Sequence, residues 1–548
     1  MSSRLPWLVP AVALALSCAA APRSDRLFVG GTVHLADGAH RVEVAVKEGR
    51  IVALVEPAAA GGWKGAAAEV VDLSGAHLYP GFTEGHGHYA GYGAALEQVD
   101  LVGTRSLDEV IARVREAARA VPPGEWVRGR GWDQNDWQQA GMPQHAPLSE
   151  AVPDHPVWLT RIDGHAALAN ALALRLAGLT KASRSPEGGE ILRDAEGEPT
   201  GVFVDRAMAL VGAAVPDPTA AQTERHLLAA QDACLAAGLT CVHEAGITDA
   251  DLGLLRRLHA QGRWRLRVYA MLAQSEIAAI ERGPWQTPDH VLIVRAVKGY
   301  ADGALGSRGA ALLTEYSDRP GHRGLLVTPK AQLQKLAQLC ADRGFQFCVH
   351  AIGDRANREV LDVIAATRFP HGSSAARFRI EHAQVVHPDD FARFAALGVL
   401  PAMQPTHLTS DMPWAPQRLG GERVKGAYAW RTFHGLGVVV PFGSDFPVES
   451  HDPRKGLYAA VTTRPEAGGD ELRPEQRLSP EAALDGFTRH AAYGAFLERE
   501  VGALAPGMLL DATVFDRDLT TCPPAELLQA KVLLTVIGGR VVYEAPPK

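Results

Sequence analysis

The stretch Leu78-Tyr79-Pro80-Gly81-Phe82-Thr83-Glu84-Gly85-His86-Gly87-His88 decides the reading of this chain. A short apolar run stops at Pro80-Gly81 and then presents two histidines at i and i+2. On a strand that spacing puts both imidazoles on one face, because side chains alternate sides. Two neutral imidazoles converging from one strand end suit a divalent metal. The same residues would also fit a glycine-relaxed loop with two surface histidines, so the remaining ligands must be sought elsewhere in the chain.

The 548 residues have room for one large α/β barrel plus an accessory module, or for three ordinary domains. Hydrophobic content of 47% with 21% charged residues is that of a globular protein. A net charge of -7 and a pI near 6.3, without any basic run, argue against nucleic acid or an anionic membrane surface as partner.

Arg4 precedes the apolar run Leu5 to Leu16, followed by Ser17-Cys18-Ala19-Ala20-Ala21. The run is too short to span a bilayer and ends in small residues, the pattern of an export signal over residues 1–21. Cys18 resembles the lipid-modified cysteine of a bacterial lipoprotein, although Leu16 stands one place later than usual. The expectation is a periplasmic or lipid-anchored protein, touching a membrane only through that anchor. The other cysteines, Cys234, Cys241, Cys340, Cys348 and Cys522, are odd in number and lack CxxC spacing, so they declare no disulfide framework.

Hairpin-like runs occupy residues 26–77, with Gly30-Gly31 and Glu48-Gly49 as turns, and the style returns over residues 501–548. This predicts one small β-sandwich domain built from both chain ends. Between them, residues 78–500 alternate strands with helices. Ser106-Leu107-Asp108-Glu109 is a capping box, Thr328-Pro329 opens a helix that Gly344 closes, and His387-Pro388 leads through Gly398 into another strand. Repeated strand–helix units predict an α/β fold, a closed (β/α)8 TIM-type barrel, with a doubly wound open sheet as the alternative.

Parallel barrels carry their chemistry at the C-terminal strand ends. Val157 to Thr160 runs to Asp163-Gly164-His165, and Thr240 to Val242 to His243-Glu244. Val291 to Val297 ends in Lys298, Phe345 to Val349 in His350, Phe378 to Glu381 in His382, and Val438 to Ser444 in Asp445. With Gly129-Arg130-Gly131-Trp132-Asp133, Ala301-Asp302-Gly303, His350-Ala351-Ile352-Gly353-Asp354 and Gly443-Ser444-Asp445-Phe446-Pro447, the sequence resembles the amidohydrolase superfamily. Within it, the likeness is to the group related to N-substituted formamide deformylase.

The resemblance implies two divalent metal ions, zinc first among them. His86, His88 and Asp445 would hold one, and His350 and His382 the other. Lys298 would bridge them as a CO2-derived carbamate, since burial favours the neutral amine that adds CO2. An ordinary ammonium at Lys298, paired to Asp302, is the alternative and would leave a mononuclear site. The expected reaction is metal-assisted hydrolysis of a C–N amide-type bond in a small N-formyl or N-acyl compound, by water or hydroxide between the metals. Asp445 would move the proton, and His165 would help to polarise the carbonyl. Trp132, Asp133 and His165 would line the substrate pocket. Competing readings are a mononuclear aminohydrolase and a binding protein that lost its chemistry. Substrate, metal and oligomeric state, a homo-oligomer included, stay open.

Overall fold

The computed structural model describes residues 24–138 and 141–546, so the expected export signal and Cys18 lie outside the described residues. Among the described residues no helix is long and apolar enough to cross a membrane.

At the centre is a nearly closed parallel barrel. Its strands, each hydrogen-bonded to the next, are Phe82–Gly87, Leu239–Ile247, Arg267–Ala273, Leu292–Tyr300, Gln346–Ala351, Arg379–His382 and Leu400–Ala402. An irregular segment around Phe442 bridges the last strand to the first. Met403 N donates to Pro441 O at 2.9 Å, and Gly85 N to Phe442 O at 2.9 Å. The closure explains two glycines of the sequence motifs. A Cβ on Gly85 would lie 2.4 Å from Phe442 O, and one on Gly443 would lie 2.1 Å from Glu84 Oε1. Both positions need a bare backbone for the ends to meet.

Helices cover the barrel as the periodicity predicts. Lys330–Arg343 buries Leu333, Ala337 and Cys340, and Gly344 ends it at φ +77°. That left-handed conformation costs glycine little.

The opening stretch divides at Gly81. His77–Pro80 pairs with Thr32–Leu35 and Ala512–Phe515, whereas Phe82–Gly87 belongs to the barrel. Strands from both chain ends thus share a six-stranded sheet, and a four-stranded sheet from residues 24–72 lies against it. Phe28, Val44 and Ile51 of one sheet meet Leu78, Val514 and Val536 of the other in a common apolar cluster.

One expectation is corrected. The run Val157 to Thr160 is not a barrel strand. It forms Val157–Arg161 of a separate six-stranded sheet spanning residues 99–205, inserted after the first barrel strand. The turn at Gly164, φ +73°, sends the chain back antiparallel as Ala166–Ala169, and a hairpin return cannot belong to a parallel barrel. Helix Leu107–Ala118, capped by Ser106, packs its Val110 and Val114 on this sheet.

Candidate metal centre

A cavity of about 850 Å³ opens where the barrel strands end. Arg130, His165, His350, His382, His407 and Asp445 are among the residues on its wall. His86 and Lys298 lie buried beneath it.

Six of the predicted residues converge here. His86 Nε2 is 3.0 Å from Lys298 Nζ and 3.5 Å from Asp445 Oδ1, and His88 Nε2 is 3.2 Å from the same oxygen. The ring of His382 lies 4.8 Å from that of His86 and 4.6 Å from that of His350. Donor atoms of His86, His88 and Asp445 all fall within 4.8 Å of one another. Asp445 Oδ1 is buried without a hydrogen-bond partner. A converging set of imidazole nitrogens with an unsatisfied carboxylate oxygen fits a divalent cation.

The surrounding groups turn the right nitrogens inward. Glu381 hydrogen-bonds His86 Nδ1, which leaves Nε2 facing the centre. Arg379 holds Glu381 in turn, through Nε at 2.7 Å and Nη2 at 2.8 Å. Gln404 Oε1 takes the same part for His382, 2.8 Å from its Nδ1. Carboxylate or amide partners of this kind fix the ring and tautomer of a ligating histidine.

Electrostatics follow burial. Burial lowers Lys298 and holds His350 and His382 well below the ordinary imidazole range. Burial alone would raise Asp445, but the His88 contact and the neighbouring imidazoles keep it well below the usual carboxylate range. Its backbone, at φ +60°, and that of His382, at φ +74°, are left-handed non-glycine conformations. Such positions persist only where the surroundings enforce them, and they gather at functional sites.

Asp302 does not pair with Lys298. Its carboxylate accepts from Ala311 N, Ile352 N and Gly353 N at 2.8–2.9 Å, tying the loops behind His350. Arg308 turns outward to Asp318 at 2.7 Å. His243 accepts from Arg379 Nη1 at 2.9 Å and so supports the same buried network.

The inserted sheet supplies the opposite wall. His165 Nδ1 meets Asp205 Oδ1 at 2.7 Å. Burial works against its protonation, yet the Asp205 bond and charge raise His165 to about 9. Asp205 itself is at φ +49°, and its seat depends on Gly303, where a Cβ would lie 2.6 Å from Oδ2. Asp133 faces the cavity, but its carboxylate is bound by Arg161.

Trp132 must be corrected. It is 0% exposed, packs against Trp137, and donates from Nε1 to Leu159 O at 2.8 Å, so it is a core residue and does not line the pocket. The cause is an irregularity in the strand. Register with Val157–Arg161 shifts between Arg130 and Trp132, where Gly131 takes φ +110°. Simple alternation would put Arg130 and Trp132 on one face, and a bulge between them separates the faces.

His407 was missed. It follows the last barrel strand on helix Pro405–Asp411, stacks at 26° on His382, and its Nε2 lies 3.9 Å from Asp445 Oδ2. Its position just after an apolar strand end was the available signal. A second His–His–Asp grouping, His34, His77 and Asp518, lies in the end sheets. There His34 Nε2 meets His77 Nδ1 at 3.0 Å, and Tyr79 Oη donates to Asp518 at 3.1 Å.

A parallel barrel with such a cluster at its C-terminal mouth defines a metal-dependent hydrolase architecture. The amidohydrolase family profile matches residues 69–543, and the chain belongs to that family. Among curated proteins, it is 32% identical over 536 residues to Protein LONG AFTER FAR-RED 3 of Arabidopsis thaliana, covering 95% of this chain and 92% of that one. It is 28% identical to the N-substituted formamide deformylase of Arthrobacter pascens, covering 95% and 98%. An uncharacterized metal-dependent hydrolase from Pyrococcus horikoshii superposes with a TM-score of 0.75 at 28% identity, covering 91% of this chain and 99% of that one.

Proposed function

We propose that this chain hydrolyses a C–N amide-type bond in a small N-formyl or N-acyl compound. His86, His88 and Asp445 would hold one divalent ion and His350 and His382 a second, with Lys298, once carbamylated, as a further oxygen ligand. The observation that carries this is Lys298 Nζ lying 3.0 Å from His86 Nε2, in a cluster where His86, His350, His382 and Asp445 are buried and His88 is half-buried. A buried ammonium there would sit among cations. A neutral amine instead adds CO2 and loses a proton, becoming an anionic oxygen donor. The nitrogen and oxygen donors suit zinc.

Bound divalent ions supply Lewis acidity for the attacking water and the scissile carbonyl. The protein's own groups do the rest. Asp445, ionised and with Oδ1 unpartnered, takes the proton of the attacking water and returns it to the leaving nitrogen. Protonated His165, braced by Asp205, donates to the carbonyl oxygen as negative charge develops. Trp414 adds an apolar surface to the cavity wall.

The sheets formed by the two chain ends act as an accessory domain on the barrel. The N-terminal run, together with Cys18, exports the protein to the periplasm or anchors it there by lipid.

The test is metal analysis beside a hydrolysis screen over N-formyl, N-acyl and aryl amides with zinc and bicarbonate. Close to two ions per chain with amide cleavage is expected. In Lys298→Ala, about one ion and the activity should be lost, with short carboxylic acids restoring part of the rate. One ion per chain and deamination in place of amide cleavage would overturn the proposal.

A further inference from the structure

The end sheets hold a group of metal-binding side chains that the reaction does not use. Thr32–Leu35 runs parallel to His77–Pro80, with Val33 opposite Leu78. Val33 and Leu78 enter the apolar cluster between the two sheets. Alternation therefore turns His34, His77 and Tyr79 to the other face, where Tyr79 joins the apolar cluster of the barrel. Asp518 reaches the same place from the segment that follows Ala512–Phe515. Donor atoms of His34, His77 and Asp518 all lie within 4.8 Å of one another.

Tyr79 orders two of the three. Its ring stacks on that of His34, with 3.9 Å between centroids and 14° between planes. Its hydroxyl accepts from Leu519 N at 2.7 Å and donates to Asp518 Oδ1 at 3.1 Å. Thr520 gives the same oxygen two more donors, N at 2.8 Å and Oγ1 at 2.6 Å. Oδ1 is thus saturated, while Oδ2 accepts no hydrogen bond among the described residues. Partners of this kind orient a ligand before an ion arrives. A plain hydrogen-bonded histidine pair explains only the 3.0 Å between His34 Nε2 and His77 Nδ1. It does not explain the carboxylate, which converges on both rings yet comes within the 4.0 Å of an ion pair to neither. Ligands about 2.1 Å from a tetrahedral ion stand about 3.4 Å apart, so the imidazoles open slightly and the carboxylate closes by about 1 Å.

We infer that His34, His77 and Asp518 form a further metal site, independent of the reaction, which takes one zinc-like divalent cation and clips the C-terminal segment to the strands that lead into the barrel. Two imidazoles with one carboxylate suit a borderline cation, whereas calcium and magnesium demand oxygen ligands. The whole barrel lies between His77 and Asp518, and links that close long loops gain most from the closure. A cavity of about 430 Å³ borders His34 and Tyr79, and His77 and Asp518 are half-buried, so this ion exchanges with solvent.

The test uses the full chain, dialysed against metal-free buffer and then titrated with micromolar zinc chloride. The wild type should bind one equivalent more than His34→Asn or Asp518→Asn, and the ions of the barrel should be common to all three. The same zinc should raise the urea midpoint of the wild type more than that of either variant. Anomalous scattering at the zinc edge from a wild-type crystal should place an ion among His34, His77 and Asp518, a readout that needs no variant to fold. Equal zinc equivalents in the wild type and both variants would overturn the site. So would an anomalous map with ions in the barrel and none among these three side chains. A bound ion there with equal zinc-induced rises in the urea midpoint of all three proteins would overturn the clip.

Discussion

Replacing Glu381 by Gln tests whether the metal centre is organised from behind. Glu381 and Arg379 are both 0% exposed, and Glu381 joins Arg379 to His86 Nδ1. Glutamine keeps the shape but removes the charge, and its amide can present an NH2 where His86 needs an acceptor. Taking one partner from a buried ion pair typically costs ~3–5 kcal/mol. Arg379 also donates to Gly85 O at 2.7 Å and meets His243 Nδ1 at 2.9 Å, so it keeps two of its contacts. The lower end, ~3 kcal/mol, is therefore expected. Loss of the carboxylate behind a ligating histidine also lowers metal affinity by about 10- to 100-fold, equivalent to ~1.4–2.8 kcal/mol. Urea unfolding of the metal-free protein measures the first quantity, and chelator competition measures the second. Both must move. Unchanged metal affinity with reduced stability would mean that Glu381 serves the barrel core and does not position His86.

Three further outcomes are expected. Trp132→Phe leaves Leu159 O without its indole donor and should lower stability by ~1–3 kcal/mol, while kcat/KM changes less than about twofold; a large KM effect would put the indole in the pocket after all. Asp445→Asn should retain metal in part and lower kcat by on the order of 10²-fold or more, because the proton carrier is gone; near wild-type turnover would assign that step to another group. In the end sheets, burial lowers His34 from 6.5 to about 4, its neighbour His77 being lowered as well. Below pH 6.5 the unfolded chain binds a proton that the folded chain refuses, so stability is full above that pH and declines down to about 4. Unfolding curves of His34→Asn should show this decline flattened by roughly 2–3 kcal/mol, and an unchanged acid limb would refute the burial argument.

The parts of the site that were legible in the sequence share one physical property. His86, Lys298, His350 and His382 each lie at or near the end of a barrel strand, which has one direction and one mouth, and Asp445 follows the irregular segment that closes the barrel beside the first strand. Run ends therefore converge whatever the loops do. His165 ended a similar run, and nothing in Val157 to Thr160 shows whether a barrel or a hairpin receives it. That choice rests on the turn at Gly164 and on pairing with residues forty positions further on, such as Asp205. Periodicity carries no information at that range.

Trp132 and Arg130 show the same limit at its smallest scale. Their spacing of two predicts one shared face, and the structure separates them by an irregularity at a single glycine. Gly131 can take φ +110° at little cost, and a side chain there would also collide with Val102, since its Cβ would lie 2.5 Å from Cγ2. The neighbour that requires the glycine belongs to another segment of the sheet, so its demand is invisible from Gly129 to Asp133 alone. The consequence reaches the chemistry. Had the strand run straight, the indole and the guanidinium would have shared a side, and one wall of the cavity would have been either apolar and neutral or wholly withdrawn into the core. The bulge instead sends the apolar residue inward, where it packs with Trp137 and Leu159, and leaves the charged one at the cavity. A single backbone conformation thereby divides the motif into a core residue and a cavity-wall residue.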